Sequence, residues 1–299
     1  MAKDQYPVII VADDALDLPE QLGTKEKYWL KDGQGLFKIG RLNTGENWAE
    51  KVAAELCGLL HLPHANYELA TFKQQKGVLS QTIVPINGQL EMGNQLLAEI
   101  HSNYPSHERY KVTDHTFGRI HHYLQSKEIL LPLDWEPPGT EIKTAFDVFV
   151  GYLLLDTWIA NQDRHHENWG VIRHKGEIYL APTYDHAASM GQNETDETRK
   201  DRLNSQDNRR HISAYIEKAR SAIYLNKSDQ KPLSTLEVFK MAAERNPESA
   251  RLWKRLLADI SQEQCLDIFE KIPQDEISST AIELALELLK LNQSRILNT

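Results

Sequence analysis

The sequence predicts an α+β fold in two lobes, a small β-rich N-terminal lobe over residues 1–90 and a larger helical C-terminal lobe over residues 91–299. Three observations predict it. Short strand-like runs crowd the N-terminal part around a single helical stripe. Helical patterns dominate after residue 90. The segment Glu141 to Ala160 is apolar around most of its circumference, as a helix buried at the centre of a large domain is.

The bulk properties agree. A chain of 299 residues suffices for two lobes with a cleft between them. About 40% of residues are hydrophobic and 26% charged, the balance of a globular protein rather than a disordered one. The net charge of -9 and the lack of a basic stripe argue against direct nucleic-acid binding. Cys57 and Cys265 are the only cysteines, so a disulfide framework is excluded and a reduced compartment fits. The apolar run Pro7 to Ala12 is too short for a signal-peptide core. The longest such run, Val148 to Ala160, is broken by Asp156 and Thr157 and cannot span a bilayer. The expectation is a soluble, cytoplasmic protein with no membrane partner.

Each element then has its own signal. Strands are expected at Val8–Val11, Tyr28–Leu30 and Leu36–Ile39, with Asp32-Gly33-Gln34-Gly35 as the hairpin turn between the last two. Trp48, Val52, Leu56 and Leu59 repeat at helical spacing within Glu46–Leu60. Two more strands are expected near Tyr67–Phe72 and Gly77–Val84. Phe117, Ile120 and Leu124 mark a helix, and the proline-rich stretch Leu131–Gly139 reads as a loop. Strands Trp169–Arg173 and Glu177–Ala181 flank a turn at His174-Lys175-Gly176. Residues Asn193–Arg210 are densely charged without apolar period and read as a mobile surface loop. Capping boxes at Ser234/Glu237, Ser261/Gln264 and Thr280/Glu283 open helices of the tail.

The chemistry is concentrated after the buried helix. Asp163 and Asn168 are spaced D-x-x-x-x-N, and Asp185 follows 17 residues later, directly after a strand. Protein kinases use this order: a catalytic-loop Asp, an Asn five residues on, then a metal-binding Asp beyond a hairpin. Mg²⁺ takes hard oxygen donors from one or two carboxylates or amides, with ATP phosphates completing its shell. Asp185 can bridge metals, and the Asn168 carbonyl can hold a metal without adding negative charge. Asp163 is then free to orient an attacking hydroxyl and take its proton. D-x-x-x-x-N alone is common by chance; the ordered set around a hairpin is what gives it meaning. In the N-terminal lobe, Lys38 sits within the apolar run Leu36–Ile39, where a phosphate-holding lysine belongs. Glu50 and Glu55 border the apolar stripe of the following helix, and wheel geometry does not choose between them as its partner.

These residues resemble the HipA-like Ser/Thr kinases. Asn161-Gln-Asp163-Arg-His165-His-Glu-Asn168 is similar to the family's (N/T)-x-D-x-H-x-x-N motif, and Leu180-Ala-Pro182-Thr-Tyr184-Asp185 to its L-x-P-x-Y-D segment. A more distant likeness is to the D-R-H-x-x-N loop of phosphatidylinositol kinases. The resemblance covers roughly residues 20–295 and is weaker at 85–140 and in the far C-terminal part. It implies a two-lobed protein-kinase-like fold with ATP and Mg²⁺ as cofactors. It implies Asp163 as catalytic base and Asn168 and Asp185 as metal ligands. Gly23-Thr24-Lys25-Glu26-Lys27 echoes the family's phosphate loop, whose backbone N–H groups can cradle phosphates. Lys38 matches the strand lysine, and the family's helix pattern favours Glu50 as its partner. Gln81, Thr82 and Ile83, within the stretch Leu79–Val84, fall where an interlobe hinge binds adenine. His165 is placed among the nucleotide-site residues as a hydrogen-bonding member of the catalytic loop. The cluster His165, His166, His174 and His186 matches no common zinc spacing. Arg164 is expected to pair with a loop anion or a neighbouring carboxylate, or equally to make a plain surface salt bridge.

The sequence also departs from the family. The N-terminal subdomain that precedes the phosphate loop in full-length HipA proteins is not expected here, so its antitoxin contacts do not carry over. The phosphate loop lacks the serine of many relatives, and Thr24 is its hydroxyl. Asn193–Arg210 falls where an activation segment belongs. The leading expectation is a protein Ser/Thr kinase of toxin type with a translation component as acceptor and a small antitoxin-type partner. A lipid or small-molecule kinase, a non-catalytic nucleotide-binding module and a metal-dependent phosphohydrolase are the alternatives. The last would need more carboxylate or His ligands than the sequence supplies.

Overall fold

The computed structural model describes residues 4–19, 26–126 and 128–299. The phosphate-loop residues Gly23, Thr24 and Lys25 lie outside the described residues.

One sheet builds the N-terminal lobe. Its strands are β1 (Val8–Ile10), β2 (Leu16–Pro19), β3 (Lys27–Leu30), β4 (Gly35–Ile39), β5 (Tyr67–Phe72) and β6 (Gln75–Gln81), in the order β1-β5-β6-β4-β3-β2. β1 runs parallel to β5, and the other neighbours are antiparallel. The β3–β4 turn is set by its residues. Asp32 Oδ1 accepts the Gln34 N–H at 2.8 Å, and Gly33 takes a φ of +68° that a side chain would strain. Alternation along β4 sends Phe37 into a small core with Val11 and Ala70. Lys38 therefore points to the opposite face, in register with Val78 of β6. Helix α1 (Glu46–Leu59) packs on β5 and β6 with its Trp48, Val52 and Leu56 buried. The expected strand Gly77–Val84 ends at Gln81; residues 82–84 leave the ladder and cross towards the second lobe.

The second lobe forms around α4 (Ala145–Trp158), preceded by α2 (Gly93–Ile100) and α3 (Phe117–Leu124). All 14 residues of α4 are buried, which explains why its sequence shows no polar face. It starts four residues later than the expected Glu141, because Thr144 caps the Asp147 N–H while Asp147 Oδ2 accepts the Thr144 N–H at 2.9 Å. It ends in a six-to-one turn. Asn161 N–H reaches Asp156 O at 2.8 Å, Ala160 N–H reaches Thr157 O, and Ala160 sits at φ +51°. This closing turn aims the following loop into the cleft. A four-stranded sheet lies beside it: β7 (Gln89–Met92), β9 (Gly170–His174), β10 (Glu177–Leu180) and β8 (Ile129–Leu130), in the order β7-β9-β10-β8.

The remaining helices are α5 (Asp196–Asn204), α6 (Ile212–Glu217), α7 (Thr235–Arg245), α8 (Pro247–Ala258), α9 (Gln262–Glu270) and α10 (Ser279–Leu297). α7, α8 and α10 pack on α4. At its C-terminal end, Trp158 Nε1 donates to Leu289 O at 3.1 Å, and Asn292 Nδ2 donates to Trp158 O at 3.2 Å.

Two expectations are corrected. Asn193–Arg210 is not all loop: it contains α5, capped by Thr195 and held by buried Arg199, which donates to the carbonyls of Gly191 and Gln192. Its polar sequence lacks an apolar period because an arginine stem, not an apolar stripe, anchors it. The boxes at Ser234/Glu237 and Ser261/Gln264 form, but α10 is capped by Ser278, two residues before Thr280.

Candidate active site

A cleft of about 180 Å³ lies between the two sheets. The N-terminal lobe contributes Lys27, Trp29, Leu36 and Lys38, and the crossing segment contributes Gln81, Thr82, Ile83 and Val84. Asn168, Tyr184 and Asp185 come from the opposite side. The Thr82 N–H is taken up by Gln34 O at 2.9 Å. No hydrogen bond to a described residue reaches the Ile83 N–H or C=O.

Lys38 is 7% exposed. Its Nζ lies 3.4 Å from Asp185 Oδ1 and 3.2 Å from the Tyr67 hydroxyl. Burial by itself depresses the lysine pKa, but the Asp185 carboxylate, then Tyr67 and Glu50, outweigh it and hold Lys38 well above its ordinary value. The ammonium therefore stays charged. The Tyr67 hydroxyl also accepts the Asp185 N–H at 3.1 Å, so one phenol fixes both partners. Glu50 is buried on α1 and accepts the His186 N–H at 2.9 Å, which ties the helix to the segment carrying Asp185. Glu55 turns elsewhere, to Lys51 at 2.7 Å. Asp185 has a φ of +60°, a conformation that Asp tolerates better than most residues.

The loop after α4 is organised by a buried arginine. Arg164 is fully buried and grips Asp156 with two bonds of 2.8 Å, from Nε and from a terminal amino group. Its other donors reach Asn168 O at 2.6 Å and Thr183 Oγ1 at 3.1 Å. Of the readings the sequence allowed Arg164, the neighbouring carboxylate is the one found, and the pair is deep in the interior rather than a surface salt bridge. Asn161 adds a bond to Asp156 Oδ1 and accepts the Asp163 N–H. Asn168 Nδ2 donates to Asp163 O at 2.7 Å, which closes the loop on itself. Asp163 is a third exposed and lines an adjoining polar pocket with Lys27, Arg41, Glu46 and Asp185.

His165 is buried in the same loop. Its Nδ1 accepts the Glu167 N–H at 3.1 Å, and its Nε2 lies 3.3 Å from Arg109 Nε and 3.7 Å from Asp163 Oδ1. Burial first, then the Arg109 charge, push its pKa down to about 3, so the ring is neutral. It is a neighbour of Asp163 rather than a wall of the main cleft. Lys38, Gln81, Thr82, Ile83, Asn168 and Asp185 share that cleft, Asp163 opens onto the pocket beside it, and Glu50 stands behind Lys38. Sequence reasoning missed Tyr67 and Arg109. Neither belongs to a spaced motif, and each reaches the site only through the tertiary fold.

No protein-family model matches the chain, and no curated protein matches it. Solved structures do. The proinflammatory kinase CtkA of Helicobacter pylori superposes with a TM-score of 0.73 at 17% identity, over 98% of this chain and 96% of that one. HipA of Shewanella oneidensis MR-1, solved with HipB and operator DNA, gives 0.59 at 12% identity, over 99% of this chain and 70% of that one. The two-lobed kinase-like fold expected from the motifs is the fold found.

Proposed function

We propose that the chain is an ATP- and magnesium-dependent kinase that phosphorylates a Ser or Thr hydroxyl of a protein. The observation that carries this reading is the meeting of Lys38, Asn168 and Asp185 in one cleft, with Asp163 at the pocket beside it. The donor set suits Mg²⁺. Among the described residues no cluster of three or more His, Cys, Asp or Glu forms a closed metal cage. One carboxylate and one amide leave room for phosphate oxygens, which is how Mg²⁺ is commonly held. Asn168 and Asp185 would hold it. Bound there, Mg²⁺ would neutralise phosphate charge.

The protein's own groups supply the rest. Lys38 offers a permanently charged donor to the nucleotide phosphates. The open backbone groups of Ile83 suit an adenine edge. Asp163 orients the acceptor hydroxyl and takes its proton as the oxygen bonds to the γ-phosphorus and ADP leaves. Arg164 and Asn161 act on the loop, not on the substrate. A metal-dependent hydrolase has little support from a site with so few metal-ligating side chains.

A protein acceptor is favoured over a lipid. The chain carries a net charge of -9, which opposes adsorption to anionic head groups. Among the described residues no helix is long and apolar enough to cross a membrane. The HipA likeness supports extending the reading to a toxin-type kinase with a small antitoxin-type partner, acting in the cytoplasm on a component such as the translation machinery. Calorimetry with a non-hydrolysable ATP analogue, with and without Mg²⁺, tests the nucleotide site. No saturable binding in either condition would sink the kinase reading. Labelled ATP with a cell lysate and, separately, lipid vesicles tests the acceptor: label in lipid and in no protein band would reject the protein-kinase reading.

A further inference from the structure

Arg109 belongs to the segment between α2 and α3, away from every motif of the sequence. It lines the nucleotide cleft, the polar pocket that holds Asp163, and a third, largely apolar groove that reaches Val112 and Tyr224. It thus stands where the nucleotide side and the acceptor side of the site meet. Its Nε pairs with Glu167 Oε2 at 3.4 Å, and the guanidinium packs beside the His165 ring. Both residues lie on the loop between Asp163 and Asn168, so Arg109 is registered to that loop. Its terminal amino groups make no hydrogen bond to a described residue, and the side chain is 19% exposed. Neighbouring cations are engaged differently: Lys38 lies against Asp185 and Tyr67, and Arg41 closes on Glu46 at 2.6 Å.

We infer that Arg109 binds the phosphoryl group being transferred, as a catalytic arginine supplied within the chain. The inference rests on the kinase reading. During transfer the acceptor oxygen bonds to the γ-phosphorus and the bond to the β–γ bridging oxygen breaks. The acceptor proton goes to Asp163, and the leaving electron pair stays on ADP. Arg109 exchanges no atoms. Its planar fork meets negative charge spread over the equatorial oxygens. Held at Nε by Glu167, it needs little rearrangement to do so. A bare Arg109–Glu167 surface pair is the competing account, and it predicts no preference among nucleotides.

The test separates the γ-phosphate from the rest of the nucleotide. Calorimetry with Mg²⁺ compares ADP and a non-hydrolysable ATP analogue on the wild type, Arg109→Ala and Arg109→Lys. For Arg109→Ala, analogue affinity falls about 10- to 100-fold, the scale of charge-assisted hydrogen bonds, while ADP affinity stays within about twofold. Arg109→Lys, which keeps the charge and loses the fork, falls between. Glu167→Gln loosens the anchor and gives a smaller loss of the same selectivity, which serves if the alanine variant does not fold. Equal losses for both nucleotides, or none for either, overturn the role of Arg109 and leave the kinase reading standing. A wild type that binds neither nucleotide overturns both.

Discussion

Asp156 and Arg164 are joined by two 2.8 Å bonds, with both side chains essentially excluded from solvent. Asp156 is held in the last turns of α4, and Arg164 stands in the loop between Asp163 and Asn168. The pair therefore transmits the rigidity of a buried helix to the loop. From the same guanidinium, contacts run on to Thr183 and His186, beside Asp185. One arginine positions both halves of the site.

Removing one member leaves the other charge buried and unpaired. Asp156→Ala should cost about 3–5 kcal/mol of stability, read as a lowered urea midpoint. Asp156→Asn keeps part of the hydrogen bonding and should cost less. A loss under about 1 kcal/mol for the alanine variant would contradict the assigned role.

The two acidic residues of the site should fail differently. Asp163→Asn should reduce kcat by about 10²–10⁴-fold while leaving affinity for the ATP analogue unchanged. Asp185→Asn should instead weaken the Mg²⁺-dependent part of that affinity. Asparagine is the better probe at residue 185, since alanine at φ +60° adds backbone strain of its own. Full transfer by the Asp163 variant would assign the base to another group.

Tyr67 links Lys38 to the Asp185 backbone through one hydroxyl. Tyr67→Phe keeps the ring and removes both bonds. It should cost about 1–3 kcal/mol of stability, measured by denaturant unfolding, and weaken ATP-analogue binding several-fold. Unchanged nucleotide affinity would show that Lys38 is positioned without it.

His115 makes stability depend on pH. Trp169 Nε1–H donates to its Nε2 at 3.0 Å, and its Nδ1 lies 3.1 Å from Ala222 O. The ring is thus fixed as the Nδ1–H tautomer, with no place for a second proton. Burial first, then His166, push its pKa down to about 3. The unfolded chain binds the proton near pH 6.5 and the folded chain does not, so stability is full above that pH and falls as the pH drops towards 3. At pH 5.5 the contribution of His115 should be reduced by about 1.4 kcal/mol. Unfolding curves at pH 7.5 and 5.5, compared for wild type and His115→Gln, should show a smaller pH dependence in the variant.

Much of this was written locally. The order of Asp163, Asn168 and Asp185 is a matter of spacing along the chain, and the structure brings Asn168 and Asp185 into one cleft with Asp163 beside it. α1 and α3 follow their apolar stripes, and the Ser234 and Ser261 caps form where their side chains require. What was hidden depends on distant partners. Nothing local marks Arg164 as buried, because its carboxylate lies eight residues back on a helix. Tyr67 meets Asp185 across 118 positions. β2, β7 and β8 are short strands at sheet edges, and β7 and β8 pair with strands far away in sequence. In α5 the local cap was present, but a buried arginine stood where an apolar stripe was sought.

The clasp between Trp158 and α10 has a consequence for biosynthesis. Trp158 ends the helix that presents the loop of Asp163, yet its indole and carbonyl are secured by Leu289 and Asn292. Those partners leave the ribosome 131 and 134 residues after Trp158. At ordinary elongation rates of about 5–20 residues per second, the interval is roughly 7–27 s. During that time the nascent N-terminal sheet can already form, while the loop of Asp163 still lacks its final support. The end of α4 is therefore secured only once α10 has been made, and a product cut short before α10 lacks both bonds to Trp158.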